Sequence, residues 1–154
     1  MNKAHYETWF ETEGRGLLAD FEAAQSAAKS ERQRVNAYTQ PLFDRYAFRD
    51  AEGNLITSQA QLYLCRDAAY CHAFYVDCDT AHRANGFTGE AGFCPALRAE
   101  NTASSAKFAL LFAAAEAMGL DTNCIYGSEA DTLLSLLQQL AASPPNAKGK
   151  DNAS

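Results

Sequence analysis

The chain has 154 residues, 47% of them apolar, and a formal net charge of −6. This length suits one domain with its own hydrophobic core. An acidic chain without a basic patch lacks the electrostatic attraction that binding to nucleic acid phosphates or to an anionic membrane surface requires. Its abundant alanine and its two valines and two isoleucines favour helices over strands.

The amino-terminal residues lack the apolar core of a secretory signal, and no apolar run approaches the length of a membrane span. Five cysteines form an odd set without an evident disulfide framework. We therefore expect a cytoplasmic protein with reduced thiols that does not enter a membrane.

The first third of the chain predicts two helices. Aromatic residues at helical spacing indicate a short helix over residues 5–13, which Gly14 and Gly16 are expected to end. A longer helix is predicted over residues 17–38. We expect Pro41 to end or kink it, because the residue before a proline avoids the helical conformation.

The middle of the chain predicts a hairpin and then the central helix. Short apolar pieces flank the turn sequence Asp-Ala-Glu-Gly-Asn and indicate a small β-hairpin over residues 46–57. Ser58 and Gln61 have the spacing of a capping box, which predicts a helix from there to about Ala84. Its apolar face is predicted to hold Tyr63, Leu64, Tyr70, Cys71, Phe74, Tyr75, Cys78 and His82.

A glycine-rich loop over residues 85–94 precedes the fourth predicted helix. Pro95 is expected in the first turn of this helix and Gly119 just beyond its end at Met118. Ser128 is expected to cap a last helix. The predicted buried face of the fourth helix consists of Leu97, Phe108, Leu111, Phe112, Ala115 and Met118.

These elements predict a mainly α fold, a compact bundle of four to five helices with at most one short β-hairpin. Residues 1–142 are expected to form a single helical domain. The polar remainder, residues 143–154, is expected to be a disordered tail because it has little apolar surface to bury.

One group of thiols and imidazole has the residue types of a zinc site. Cys71, Cys78 and His82 share a predicted helix face, and Cys94 follows in the next loop. Structural zinc sites usually carry two ligands on a short Cys-x(2–4)-Cys segment, which this chain does not have. The favoured interpretation is that these cysteines belong to the core, with no metal; a zinc- or thiol-dependent site is the alternative.

Catalytic motifs are otherwise sparse. Cys78 with His82, or Cys94 near a helix amino terminus, could act as a nucleophile, but neither lies in the local signature of a known cysteine hydrolase. The glycines before Pro95 match neither a dinucleotide-binding nor a Walker pattern. Asp79 and Arg83 have the spacing of a surface ion pair. The sequence therefore predicts a protein that is not an enzyme and has no cofactor.

Residues 55–100 resemble small uncharacterised proteins of bacteriophages and prophages. The most specific part is Gly-Phe-x-Gly-x-x-Gly-x-Cys-Pro-Ala-Leu-x-Ala-Glu, which ends at Glu100. The resemblance carries no activity and no functional residues. It implies that the protein acts in the cytoplasm of a bacterial host. It also implies a phage accessory protein or inhibitor that binds and blocks a host or phage protein.

The leading functional hypothesis is a non-enzymatic module that binds another protein through loops on a helical scaffold. The candidate binding residues are Phe87, Glu90 and Phe93 in the glycine-rich loop, with Glu52 and Asn54 at the hairpin tip. The competing interpretation is that both phenylalanines fold back over the central helix. A structural homo-oligomer, such as a homodimer formed through an exposed helix face, stays open as another alternative.

Overall fold

The computed structural model describes residues 3–143 of the chain. Its α-helices are α1 (Lys3–Trp9), α2 (Arg15–Tyr46), α3 (Ala68–Ala84), α4 (Pro95–Met118) and α5 (Gly127–Ala141). A π-helical turn follows α1 (Phe10–Gly14), and 3-10 turns precede α3 (Gln59–Leu64) and α5 (Thr122–Ile125). The described residues contain five α-helices and no sheet, so the predicted mainly α fold is confirmed. Apart from Ser143, the predicted tail lies outside the described residues.

Contacts divide the chain into two compact units. Unit 1 consists of Met1–Ser26 and Asn101–Ser154, and unit 2 of Ala27–Glu100. Helices α2 and α4 each contribute residues to both units. The single domain over residues 1–142 stays a prediction.

The core of unit 1 combines an aromatic amino-terminal part with aliphatic residues of α4 and α5. Arg15 caps the carboxyl end of α5, donating hydrogen bonds to the carbonyls of Ala141 at 3.2 Å and Ser143 at 3.3 Å. Glu11 accepts a bond of 2.7 Å from the same guanidinium. A cation is favourable here because helix carbonyls lack intrahelical partners at this end. The buried core residues are Tyr6, Phe10, Leu18, Phe21, Leu110, Leu111, Ala114, Ala115, Ile125, Ala130, Leu133 and Leu137.

The chain stays helical through Gly14 and Gly16, so the prediction that these glycines end the first helix is wrong. Residues Phe10–Gly14 form a π-helical turn, in which the Arg15 amide donates to the carbonyl five residues earlier. Gly14 is buried, and a Cβ there would lie 2.8 Å from the ring of Trp9. The missing side chain lets the ring pack against the helix, and this aromatic packing offsets a glycine cost of about 1 kcal/mol.

Pro41 also lies inside a helix, because α2 continues to Tyr46. The proline leaves the carbonyl of Ala37 without its helical donor, yet the expected end of the helix is not there. The turn beyond Pro41 carries Phe43, which is 1% exposed in the core of unit 2. Burying such side chains contributes about 1.5–3 kcal/mol each, comparable with the roughly 3 kcal/mol cost of an internal proline.

Three phenylalanines organise the core of unit 2. The ring centroids of Phe43, Phe48 and Phe74 lie 5.4 to 5.8 Å apart, in tilted and edge-to-face arrangements. Their burial explains why the chain folds back after α2: the segment after Tyr46 returns Phe48 to the end of the helix. Ile56, Leu62 and Cys78 complete the buried cluster.

The predicted hairpin over residues 46–57 is reduced to a turn with a single antiparallel bridge between Arg49 and Leu55. The Ile56 amide donates to the Phe48 carbonyl at 2.8 Å. The side chains of Phe48 and Ile56 are buried in the core of unit 2. Their packing holds the turn in place without a two-stranded sheet.

Helix α3 begins at Ala68, so the prediction of a helix starting at a Ser58 capping box is wrong. The Ser58 side chain makes no capping hydrogen bond, and only a 3-10 turn follows it. Asp67 is the N-cap instead, its carboxylate accepting from the Tyr70 amide at 3.0 Å. An aspartate favours this position because it satisfies a free amide and carries negative charge at the helix amino terminus.

The buried face of α3 is narrower than predicted and consists of Phe74, Cys78 and His82. Cys71 is half-buried. Tyr63 and Leu64 precede the helix and do not follow its register. The predicted members that are exposed are Tyr63, Leu64, Tyr70 and Tyr75.

The predicted bounds of α4, Pro95 to Met118, agree with the structure. Gly119 has a positive φ of 67°, and the amides of Gly119 and Leu120 donate to the carbonyls of Glu116 and Ala115. This is a Schellman motif, which ends the helix. No described helix is long and apolar enough to cross a membrane.

The predicted buried face of α4 is only partly right. Leu111 and Ala115 are buried, whereas Leu97, Phe108 and Phe112 are exposed. The face that packs inward carries mainly small side chains, which permit a close approach that phenylalanine would prevent. Its buried residues are Pro95, Ala96, Ala103, Leu110, Leu111, Ala114 and Ala115.

Candidate functional site

The loop between α3 and α4 begins with a helix stop of defined geometry. Gly86 has a positive φ of 91° and donates to the Arg83 carbonyl, while the Phe87 amide donates to the His82 carbonyl at 3.0 Å. This Schellman motif turns Phe87 back onto the helix, where its ring lies 6.3 Å from that of His82. Phe87 therefore folds back over the central helix α3.

Two side chains of α3 brace the rest of the loop. Arg83 donates to the Gly89 carbonyl at 2.8 Å, and Asp79 accepts from the Gly92 amide at 3.2 Å. The two residues form the predicted ion pair, at 3.5 Å. A Cβ at Gly89 would overlap the Phe87 ring, so glycine lets the loop close over that phenylalanine. The loop is thus fixed to α3 at Gly89 and Gly92.

The braced loop encloses a shallow cavity of about 580 Å³. Phe93, which is 43% exposed, lies at this cavity with Glu90. The structure therefore brings the sequence-predicted residues Phe87, Glu90 and Phe93 to one surface, where Arg98 adds a guanidinium. The lining residues are Phe87, Thr88, Gly89, Glu90, Phe93 and Arg98. No local pattern in the sequence points to Thr88 and Arg98, because they come together only in the folded chain.

The hairpin tip is a separate surface. Glu52 and Asn54 are exposed and do not line the loop cavity. Their amides donate to the Asp50 carboxylate at 3.0 and 2.9 Å. An aspartate that accepts hydrogen bonds from the amides that follow it stabilises a turn. The polar residues of the tip are therefore explained by the turn itself, without a binding role.

The thiol–imidazole group is divided between two places. Cys78, His82 and Cys94 line a second cavity in unit 2, of about 620 Å³, and Cys71 does not. Among residues 3–143, no three His, Cys, Asp or Glu side chains form a group that could hold a metal ion. Cys94 is half-buried, and after the hydrogen bond with Glu100 it makes a smaller contribution to the raised pKa of Arg32.

The electrostatics of the second cavity disfavour a Cys78–His82 nucleophile. Burial raises the pKa of the Cys78 thiol to about 11. Burial also lowers the pKa of His82, whose Nδ1 lies 2.7 Å from the Tyr38 hydroxyl. Near neutral pH the thiol keeps its proton and the imidazole is neutral, the reverse of the thiolate–imidazolium pair that such chemistry uses.

Arg32 is the most strongly paired charge in this cavity. Its guanidinium donates to both carboxylate oxygens of Glu100, at 2.7 and 2.9 Å. This pair is not predictable from the sequence, because the two residues are far apart in the chain and no local pattern links them.

No family model, curated protein or solved structure matches this chain.

Proposed function

We propose that this protein is a non-enzymatic interaction module that binds another protein through the cavity of the loop between α3 and α4. The observation that carries the proposal is the 43% exposed ring of Phe93 on a loop braced by Arg83 and Asp79. Exposed aromatic side chains are enriched at protein interfaces. A braced loop loses little conformational entropy on binding, which favours affinity.

The cavity suits one or two side chains of a partner. Its volume of about 580 Å³ is within the range of ligand pockets, but it is shallow. Phe87 and Phe93 provide apolar contact, and Glu90 and Arg98 provide one charge of each sign at the same surface. An apolar side chain flanked by polar groups would complement this arrangement.

The resemblance of residues 55–100 to small phage and prophage proteins supports a more specific form of the proposal. Those residues include the whole loop and the helix that braces it. Small phage accessory proteins commonly act by binding a host or phage macromolecule. We therefore propose an inhibitor that occupies a surface of a bacterial or phage protein, in the cytoplasm of the host.

The test uses the double variant Phe93→Ala/Glu90→Ala. The full chain is immobilised, proteins captured from the bacterial host are identified, and binding of the purified partner is then measured. Loss of an interface residue of this kind costs about 2 kcal/mol or more, equivalent to roughly 30-fold weaker binding. The melting temperature should stay near that of the wild type because both side chains are exposed.

Tyr63→Ala is the matched control, since Tyr63 is 76% exposed and does not line the cavity. Its binding should equal that of the wild type. Equal binding by the double variant, or an equal loss in the control, would contradict the proposal.

Self-association is a second candidate function, favoured by one observation on α4. Phe108 and Phe112 are 49% and 37% exposed, and their rings stack with centroids 6.0 Å apart. We propose that a second copy of the chain would cover this pair. A molar mass that rises with concentration, and falls to the monomer in Phe108→Ser, would support this; a monomer at all concentrations would contradict it.

A further inference from the structure

The second cavity of unit 2, of about 620 Å³, combines polar and aromatic walls. Helix α2 contributes polar side chains that recur every three or four residues and therefore share one face of the helix. Helix α3 contributes the rings of Phe74 and Tyr75 and the imidazole of His82. The volume is within the range of small-molecule sites, which have apolar walls and a few placed polar groups.

The side-chain amide of Gln59 is held in one orientation at this cavity. Its Nε2 donates to the Thr39 hydroxyl at 3.3 Å and to Gln40 Oε1 at 3.1 Å. The Gln40 amide is itself oriented, because its Nε2 donates to the Asp44 carboxylate at 2.8 Å. The Thr39 hydroxyl donates to the Val35 carbonyl at 3.0 Å, so toward Gln59 it can only accept. Both amide hydrogens of Gln59 are thus used, and its Oε1 is an acceptor without a partner among the described residues.

His82 provides a donor at the same cavity. The side chain is 5% exposed, and its Nδ1 lies 2.7 Å from the Tyr38 hydroxyl. The ring is neutral near neutral pH because burial lowers the pKa of His82, so one of its two nitrogens carries a hydrogen. The Tyr38 hydroxyl has no other acceptor among the described residues, and we assign its proton to the bond with Nδ1. The ring hydrogen is then on Nε2, which has no partner in the described part of the chain.

The charge of the cavity favours a neutral ligand. Arg32 is the only charged side chain among the described residues that line it. Glu100 already accepts two hydrogen bonds from this guanidinium, at 2.7 and 2.9 Å. A charged ligand would have to displace Glu100 or enter the cavity without an opposite charge, which is costly.

We propose that this cavity binds a neutral nucleobase or nucleoside, whose base edge donates to Gln59 Oε1 and accepts from His82 Nε2. Nucleobase edges place a donor beside an acceptor, and proteins recognise them by hydrogen bonds combined with stacking on aromatic side chains. Tyr75 is 57% exposed, so its ring is accessible to the face of a base. This binding is an additional activity and does not depend on the loop cavity.

The test is isothermal titration calorimetry of the folded full chain with adenosine, guanosine, cytidine and uridine. We expect at least one of them to bind. Its analogue fully methylated at the donor nitrogen of the base edge should bind about tenfold more weakly, because Gln59 then has no hydrogen to accept. The 5′-monophosphate should bind no more tightly than the nucleoside. No binding of any nucleoside at millimolar concentration, or binding of the nucleotides alone, would overturn the proposal.

Two matched pairs of variants locate the site. Gln59→Ala and Tyr75→Ala should each weaken binding about tenfold or more, because they remove the acceptor and the stacking ring. Gln61→Ala and Tyr63→Ala are the controls and should bind like the wild type, since both side chains are exposed and neither lines the cavity. Circular dichroism confirms that the variants are helical.

Wild-type binding by either cavity variant, or an equal loss in its control, would also overturn the proposal. Should Gln59→Ala fail to fold because its bonds to Thr39 and Gln40 are lost, Tyr75→Ala still tests the site, since that side chain is largely exposed.

Discussion

The Tyr38 hydroxyl and the His82 imidazole form a hydrogen bond of 2.7 Å, with the rings edge to face and their centroids 5.5 Å apart. His82 is 5% exposed, and burial is the main reason why its pKa is lowered. Asp79 and Arg34 act on it in opposite directions. The pair joins α2 to α3 within unit 2, and the protonation state of His82 therefore affects the stability of that contact.

We expect the free energy of unfolding to fall as the pH drops below about 6.5. Above that pH His82 is neutral in both states; below it the unfolded chain binds a proton that the folded chain does not, until the lowered folded pKa is reached. The slope contributed by one such group is at most about 1.4 kcal/mol per pH unit. Urea unfolding between pH 7.5 and about 5.5 measures it. His82→Gln should have the shallower slope, and the exposed His72→Gln should keep that of the wild type; equal slopes in all three would refute this.

Removing the hydroxyl of Tyr6 should change the stability of the protein in the opposite direction from removing that of Tyr38. Its buried hydroxyl has no hydrogen-bond partner among the described residues, and burial raises the pKa of Tyr6 to about 12. Tyr6→Phe should stabilise the protein by about 1 kcal/mol because it removes an unsatisfied polar group. Tyr38→Phe, the same chemical change where a bond is present, should destabilise it by about 1 kcal/mol. The denaturant midpoints of both variants, compared with that of the wild type, measure these changes. Destabilisation by Tyr6→Phe would show that the Tyr6 hydroxyl has a hydrogen-bond partner.

Gly14 and Gly16 provide a matched pair within one helical run. Alanine usually stabilises a helix by up to about 1 kcal/mol relative to glycine, and a Cβ at Gly16 meets nothing within 4 Å. At Gly14 the Cβ would lie 2.9 Å from the Phe10 ring, which is buried. We therefore expect Gly16→Ala to raise the melting temperature and Gly14→Ala to lower it, at a cost of about 1–3 kcal/mol. A rise in both variants would mean that the aromatic rings move aside freely.

Cys78 should be the least reactive described cysteine in the folded protein. It is buried and its pKa is raised to about 11, whereas Cys71, also expected in the core, is only half-buried. A thiol reagent should modify Cys78 only on unfolding. Cys78→Ser should cost roughly 1–3 kcal/mol because it places a hydroxyl in apolar surroundings, and the half-buried Cys94→Ser should cost less. Rapid labelling of Cys78 in the native state would contradict its burial.

Local chemistry determines which parts of this fold the sequence could predict. Pro95 and Gly119 mark the ends of α4 because a proline at a first helical turn and a glycine beyond the last one act within a few residues. Gly14 and Pro41 have equally clear local preferences, and the packing of the partly buried Trp9 and the burial of Phe43 outweigh them. Tertiary packing of that kind is not visible in a single sequence.

The candidate site was predictable to a similar extent. Glycines around two phenylalanines indicated an exposed loop, and the structure places Phe93 on its surface. Which phenylalanine turns inward depends on the left-handed Gly86 and on the contact of Phe87 with His82. Those features belong to the folded loop, so the sequence alone does not distinguish the two rings.

The π-helical turn at Phe10–Gly14 makes the effect of a one-residue deletion in the amino-terminal helical run depend on where the residue is removed. A π turn closes its hydrogen bond over one residue more than an α turn, so it is equivalent to a one-residue insertion in a continuous α-helix. Deleting Thr12 would remove this extra residue and leave a regular α-helix in which the residues before it keep nearly their present orientation. Deleting a residue of the regular helix that follows, such as Ala19, would instead rotate everything before it by about 100° around the helix axis and turn Tyr6 away from the core of unit 1. For this helix, the number of residues matters as much as their hydrophobicity.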